Sequence, residues 1–259
     1  MKAMIFAAGL GTRLRPLTDR MPKALVEVAG KPLLQHQLER LRAAGATEVV
    51  INVHHFADMI EQWVREHPMG VSVRFSDERA MLLETGGAIR KARPLLGEGR
   101  VLIHNCDILS DAHLREFYDE GEHASATLLV SPRESSRYLL FDDDMQLRGW
   151  MNAGSGEAKY VVTAGSANAQ PSVQPCAVSD VAHLQRYAFS GIHQIDSSVF
   201  PLMDGWPEKF SVIDFYLWLA TTHNVRGVVA PHLHLIDVGK LDTLAQAEEF
   251  LRAQRASSL

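Results

Sequence analysis

Two hydrophobic rhythms alternate along the first hundred residues. Residues 3–8 (AMIFAA) form an unbroken apolar run that stops at Gly9, which predicts a strand covered on both faces. Leu34, Leu38 and Leu41 then recur at helical spacing behind Pro32, and Gly45 closes the stretch, so a helix is predicted there. The alternation repeats. A strand over 48–53 (EVVINV) precedes a helix over 58–66 that stops before Pro68. A strand over 71–75 precedes a helix over 86–92 that stops before Pro94, and a fourth strand covers 100–104 (RVLIH). Strands separated by helical crossovers predict a mostly parallel sheet with helices on both faces, a single Rossmann-like three-layer α/β domain.

Beyond residue 110 the links shorten. Strands are predicted over 125–131, 138–141 and 146–150. Asp142, Asp143 and Asp144 fall between the last two and read as a hairpin turn rather than a metal site, because aspartate favours turns. Residues 152–180 are rich in Ala, Gly, Ser, Asn, Gln and Pro and read as a flexible insertion. Strand-like order resumes over 185–194. A helix follows over 214–222, then strands over 226–230 and 233–238, and an amphipathic helix over 241–253. With no internal repeat and no linker, residues 1–259 read as one domain.

Composition narrows the function classes. A 46% hydrophobic and 22% charged chain of 259 residues is ordinary for a globular protein with a substantial core. A net charge of -5 argues against a nucleic-acid binder. No apolar stretch reaches the roughly 18 residues of a membrane span. The start of the chain has one lysine and no small-residue cleavage site, so no signal peptide is expected. Cys106 and Cys176 make no disulfide framework and read as free thiols of a cytoplasmic protein.

The chemistry concentrates at strand ends. Gly9-Leu10-Gly11-Thr12-Arg13 follows the first strand, where parallel sheets bind ligands and glycines let backbone N–H groups approach phosphate. The pattern GxxxxGK[ST] is absent, and GxGxxG fails because Leu14 occupies its third glycine position. That failure counts against an NAD(P)-dependent enzyme. A plain strand–turn–helix explains Gly9 and Gly11 but not Thr12, Arg13 and Lys23 behind Pro22. Asp107 and Asp237 each follow an apolar run at a strand's carboxyl end, and Asp111 reads as a helix N-cap. Cys106 reads as packed against the sheet and His104 as a strand residue near the site. His54-His55 and His232-x-His234 lack a third ligand at a spacing that would mark zinc.

The stretch AAGLGTRLRPLTDRMPKALVEVAGKPLL resembles the signature of the sugar-1-phosphate nucleotidylyltransferases, and the resemblance extends through GGAI, HNCDIL, FSGI and LIDVGK. It implies the nucleotide-diphospho-sugar transferase fold, with residues 1–110 as the nucleotide-binding half and 111–259 as the sugar-phosphate half. It implies that Ala8, Gly9, Gly11 and Thr12 wrap a nucleoside triphosphate, that Arg13 and Lys23 are catalytic, and that Gly86 and Gly87 receive the base. Asp107 and Asp237 would bind Mg²⁺. Asn105, Glu157, Ser190, Gly191 and Lys209 would meet the sugar phosphate, with Ser211 and Asp214 close by. At Glu157 and Lys159 the chain reads Gly-Glu-Ala-Lys where relatives carry Glu-Lys-Pro, a departure from the pattern. Within the family the chain resembles most the N-acetylmuramate 1-phosphate uridylyltransferases of bacterial cell-wall recycling. Guanylyl-, cytidylyl- or thymidylyltransferases of mannose, heptose or glucose 1-phosphate are the alternatives. A catalytically silent nucleotide-sugar sensor is disfavoured, because Arg13, Lys23, Asp107 and Asp237 are all present. The hexapeptide repeats of the family's longer members are missing, so no β-helix extension is expected. The expected partners are the two substrates, with no nucleic acid and no membrane, and the expected state is a monomer or small homo-oligomer.

Overall fold

A computed structural model describes residues 1–163 and 170–257. In chain order its elements begin with β1 (Lys2–Phe6), the ribbon of β2 (Glu27–Val28) and β3 (Lys31–Pro32), α1 (Leu33–Ala43), β4 (Glu48–Val53) and α2 (Ala57–Glu66). Then come β5 (Ser72–Asp77), α3 (Glu84–Leu96), β6 (Arg100–Asn105), β7 (Ile108–Ser110) and α4 (Leu114–Glu120). The second half adds β8 (Ala126–Ser131), β9 (Arg137–Phe141), β10 (Leu147–Asn152), β11 (Glu157–Val162), β12 (Ser172–Cys176) and β13 (Gln185–Asp196). It closes with α5 (Val212–Leu219), β14 (Val225–Val229), β15 (Leu235–Asp237) and α6 (Asp242–Ser257).

The first-half strands lie side by side in the order β5-β4-β1-β6, all parallel, with Met4 between Val50 and Ile103. Their apolar runs are continuous because successive residues enter different cores. Ala3 and Ile5 join one core with α1 and α6, while Met4 joins another with α3 and α5. Val49, Ile51 and Val53 face the first core and Val50 the second; Leu102 faces the first, Val101 and Ile103 the second. That is the predicted three-layer α/β arrangement.

The long strand β13 joins the halves. It runs antiparallel to β6, with Ile192 opposite His104, and also pairs with β8 and β9. β8 carries β14 in parallel on its other edge. From β9 the sheet continues antiparallel through β10 and β11 to β12, and Leu140, Met151, Ala158 and Val181 form a small separate core there.

Three expectations differ from the structure. The segment 152–180 is not a plain loop, since β11 and β12 extend the sheet with Trp150 opposite Lys159 and Lys159 opposite Pro175. Pro175 and the polar Ser172 and Gln174 are tolerable because β12 is an edge strand. Residues 164–169 of this segment lie outside the described residues. Helix α3 runs past the expected stop and holds Pro94 inside it, because Ala92 and Leu96 on either side are fully buried against the sheet. Asp111 does not cap α4. Its carboxylate accepts the His234 backbone N–H at 2.9 Å and meets His234 Nδ1 at 2.8 Å. The Asp142 turn forms as predicted, with Oδ1 accepting the N–H groups of Asp144 and Gln146 at 3.1 and 2.9 Å.

Candidate active site

The parallel strands end at one edge of the sheet, where ligands of such folds bind. β1 leads there into the glycine loop. Ala7 and Ala8 are still buried, Gly9 to Arg13 emerge, and Leu14 is buried again, so the loop bridges two fixed points. Gly11 is left-handed at φ 64, and a Cβ there would lie 2.9 Å from Thr18 Cγ2 and 3.0 Å from Lys23 Cβ. Glycine therefore answers both a backbone and a steric demand. The Thr18 hydroxyl donates to the Gly11 carbonyl at 2.8 Å and the Leu14 N–H at 2.9 Å. Among the described residues no protein acceptor takes the N–H of Gly9, Leu10 or Gly11, so the loop offers donors to an anion.

The loop's root is held by a buried relay. The Ala7 N–H donates to Asn52 Oδ1 at 2.8 Å, and Asn52 Nδ2 donates to Glu78 Oε1 at 2.8 Å. Glu78 Oε2 accepts the Leu83 N–H at 3.2 Å, just before α3. Burial pushes the Glu78 carboxyl above its ordinary value. This relay couples the glycine loop to the segment of Gly86 and Gly87. Those two glycines have a packing reason of their own: a Cβ on Gly86 would strike the Phe210 ring at 2.3 Å, and one on Gly87 the Glu208 carbonyl oxygen at 2.5 Å.

Asp107 leaves β6 two residues past its end, and α1 pins the chain around it. Gln37 Nε2 donates to the Ile108 carbonyl at 2.6 Å, and the half-buried Arg40 donates to the Ser110 and Ala112 carbonyls. Burial lowers the Arg40 guanidinium to about 10. Lys23 Nζ forms an ion pair with Asp107 Oδ2. Antiparallel pairing of β15 with β7 sets Asp237 opposite Ile108, and the Val238 N–H donates to the Asp107 carbonyl at 2.9 Å. A Cβ on Gly239 would lie 2.7 Å from Asp237 Oδ1 and 2.8 Å from an Arg13 Nη, so both side chains close over that glycine. Loop, lysine, arginine and both aspartates thus meet at one place.

The carboxyl of Asp237 opens on the cleft, yet protein around it displaces water and raises it above its ordinary value. The negative charge of Asp107 adds to the rise, while Lys23, Arg13 and Arg133 oppose it. Two mutually repelling carboxylates at a sheet edge form the kind of donor set that Mg²⁺ takes, leaving its other positions to phosphate and water. No group of three or more His, Cys, Asp or Glu able to hold a metal occurs among the described residues.

Beside Asp237 opens a cleft of about 480 Å³, walled by Tyr138, Trp150 and Phe189 and ending at Lys159 and Asp214. Lys159 Nζ bonds Asp214 Oδ1 at 2.9 Å and lies over the Trp150 ring. Ser211 lines the cleft and caps α5, accepting the Ile213 N–H at 3.2 Å. Ser190 is buried and donates to the Leu129 carbonyl at 2.7 Å. Gly191 has φ 76, and a Cβ on it would meet Asn105 Nδ2 at 2.8 Å, which brings Asn105 and Gly191 together. Lys209 sits beside Glu84, 3.5 Å from Oε1, at the start of α3. Glu157 lies on a neighbouring pocket behind Lys159, with Trp206 and Trp218. Cys106 is buried, which pushes its thiol up, and His54 bonds the Glu78 carbonyl at 2.7 Å. Sequence reasoning missed Asn52, Glu78 and Arg133. Arg133 donates to the Phe189 carbonyl at 2.9 Å, and its buried Nε has no partner among the described residues.

Comparison with known proteins identifies the family and the fold. Residues 2–138 match the family model described as nucleotidyl transferase. An N-acetylmuramate alpha-1-phosphate uridylyltransferase of Caulobacter vibrioides is 54% identical over 114 residues, 43% of this chain and 47% of that protein. One of Neisseria meningitidis serogroup B is 41% identical over 164 residues, 60% of this chain and 71% of its own length. The match thus spans about half of the first relative. The crystal structure of HddC from Yersinia pseudotuberculosis has the same fold, with a TM-score of 0.72 over 96% of this chain and 99% of its own, at 21% identity.

Proposed function

This chain belongs to the nucleotidyl transferase family, and we propose that it joins UTP to N-acetylmuramate 1-phosphate, giving UDP-N-acetylmuramate and pyrophosphate. The observation that carries this reading is the convergence of the glycine loop, Arg13, Lys23, Asp107 and Asp237 beside the cleft of about 480 Å³. A phosphate oxygen of the sugar phosphate attacks the α-phosphorus of UTP. A new P–O bond forms there, and the bond to the β-phosphate oxygen breaks to release pyrophosphate. Such a transfer needs in-line positioning and charge stabilisation more than covalent help.

Each residue then has a task. The N–H groups of Gly9 to Gly11 hold triphosphate oxygens. Arg13 grips phosphate with its planar fork. Lys23 leaves Asp107 for the α-phosphate and stabilises its growing negative charge. Asp107 and Asp237 would hold Mg²⁺, which neutralises triphosphate charge when bound. The aromatic walls of the cleft exclude water from the sugar. No helix among the described residues is long and apolar enough to cross a membrane, and both cysteines are free, which suits a cytoplasmic enzyme of cell-wall recycling.

Pyrophosphate release across a grid tests the reading: UTP, dTTP, GTP, CTP and ATP against the 1-phosphates of N-acetylmuramate, N-acetylglucosamine, glucose and mannose, with Mg²⁺ or with EDTA. One Mg²⁺-dependent response at UTP with N-acetylmuramate 1-phosphate is expected. A response centred on GTP with mannose 1-phosphate would assign a guanylyltransferase instead.

A further inference from the structure

Four charged side chains line the cleft: Arg137, Lys159, Asp214 and Asp237. Three are accounted for. Lys159 and Asp214 neutralise each other at 2.9 Å. Asp237 belongs to the cluster with Arg13 over Gly239. Arg137 is exposed, and among the described residues its guanidinium has no hydrogen-bond or ion-pair partner. Among the charged side chains that line the cleft, Arg137 is thus the cation left without an assigned protein partner among the described residues.

The register fixes where that charge points. Residues at alternate positions of β9 share a face, so Arg137 lies with Leu139. Leu139 is opposite Trp150, and Trp150 is opposite Lys159. These residues form the cleft wall, while Leu140, Met151 and Ala158 point to the small core behind it. The backbone at Arg137 is held opposite Asn152, and its N–H donates to Ser135 Oγ at 3.2 Å. Arg137 thus stands on a fixed base, on the same face of the sheet as Trp150.

Apart from the 1-phosphate that every candidate substrate shares, a neutral sugar has no group that would need this charge. A planar, unpaired guanidinium fits a carboxylate, which it binds through two parallel N–H···O bonds. We propose that Arg137 binds a carboxylate carried by the sugar of the sugar 1-phosphate, and so selects an acidic sugar over neutral ones. The inference rests on the uridylyltransferase reading, because the lactyl ether of N-acetylmuramate supplies such a carboxylate, whereas N-acetylglucosamine differs by lacking it.

The test measures KM and kcat with UTP and Mg²⁺ for N-acetylmuramate 1-phosphate and N-acetylglucosamine 1-phosphate, in the natural chain, Arg137→Ala and Arg137→Lys. Loss of one charge-assisted contact should raise KM for the muramate substrate by about 10- to 100-fold in Arg137→Ala, with Arg137→Lys between. The preference over N-acetylglucosamine 1-phosphate should shrink by the same factor. An equal rise for both sugars, or an unchanged preference, overturns the role of Arg137 and leaves the uridylyltransferase reading standing. A natural chain that turns over only neutral sugar phosphates overturns both. If neither sugar phosphate turns over, calorimetry of the two with UTP present decides, and equal affinities for the natural chain overturn the inference.

Discussion

Lys23 reaches Asp107 across 84 residues of sequence, and the two side chains form an ion pair largely shielded from water. One partner is proposed to meet phosphate and the other the metal. The pair therefore keeps two mutually attracting groups of the reaction in place before any substrate arrives, and a triphosphate with its cation would exchange it for two stronger contacts.

Removing the lysine should separate activity from stability. Lys23→Ala is expected to lower kcat by about 100- to 1000-fold, the usual loss for a donor aimed at developing charge. Asp107 at the cleft edge keeps some solvent access and can rehydrate once the lysine is gone, so the thermal midpoint should move by only a few degrees. Pyrophosphate release and a melting curve on the same preparation check this, and near-normal turnover would remove Lys23 from the mechanism.

Gly239 offers a cleaner perturbation of the site. An added Cβ would press on Asp237 Oδ1 and on Arg13 at 2.7 and 2.8 Å, in a backbone conformation open to alanine. Gly239→Ala should therefore lower kcat/KM by roughly tenfold or more, since small misplacements of positioning groups are costly. Urea unfolding should change little. A stability loss that tracks the activity loss would show that the residue supports the fold rather than the site.

The Asn52–Glu78 relay predicts that stability and activity fall together. Asn52→Ala strands the Ala7 N–H and one Glu78 oxygen inside the protein, which should cost about 2–3 kcal/mol. It should also raise KM for UTP, because the root of the glycine loop is freed. Chemical denaturation and initial rates would read both, and a change in stability alone would limit the relay to a structural role.

Two buried histidines set the acid limit. Burial lowers His104 and His193 from 6.5 to about 3, aided by Arg40 for His104 and by His104 for His193. The unfolded chain takes up these protons near pH 6.5, while the folded chain refuses them until about pH 3. Stability is thus fully present above pH 6.5 and falls as the pH drops below it. Each histidine should contribute a slope of about 1.4 kcal/mol per pH unit. His193→Gln should remove one such slope from unfolding free energies measured below pH 6.5. An unchanged slope would mean that His193 takes up its proton in the folded protein.

Much of this was legible in the sequence where a single physical demand dominates. The runs at 3–8, 48–53 and 100–104 read as strands because both faces are covered, and the glycine loop read as a binding turn because Gly11 has no alternative residue. The rest depended on contacts between distant segments. Asp111 sits where a cap would be, but His234 claims it. Glu157 to Cys176 alternates too weakly, and carries two prolines, to announce two strands of a sheet edge. Asn52 left a trace, being the one amide in EVVINV, whereas nothing local marks Glu78 as its partner.

Strand β13 serves β6, β8 and β9 alike. The two parts of the sheet on either side of β13 are therefore not modules that recombination or engineering could exchange at a seam. A fragment stopping at residue 110 would leave β6 with an open hydrogen-bonding edge, and a graft from another enzyme would have to match three registers at once. If the wall from Arg137 to Lys159 meets the sugar as proposed, new sugar preferences would arise there by exchanging side chains on a backbone that stays where it is.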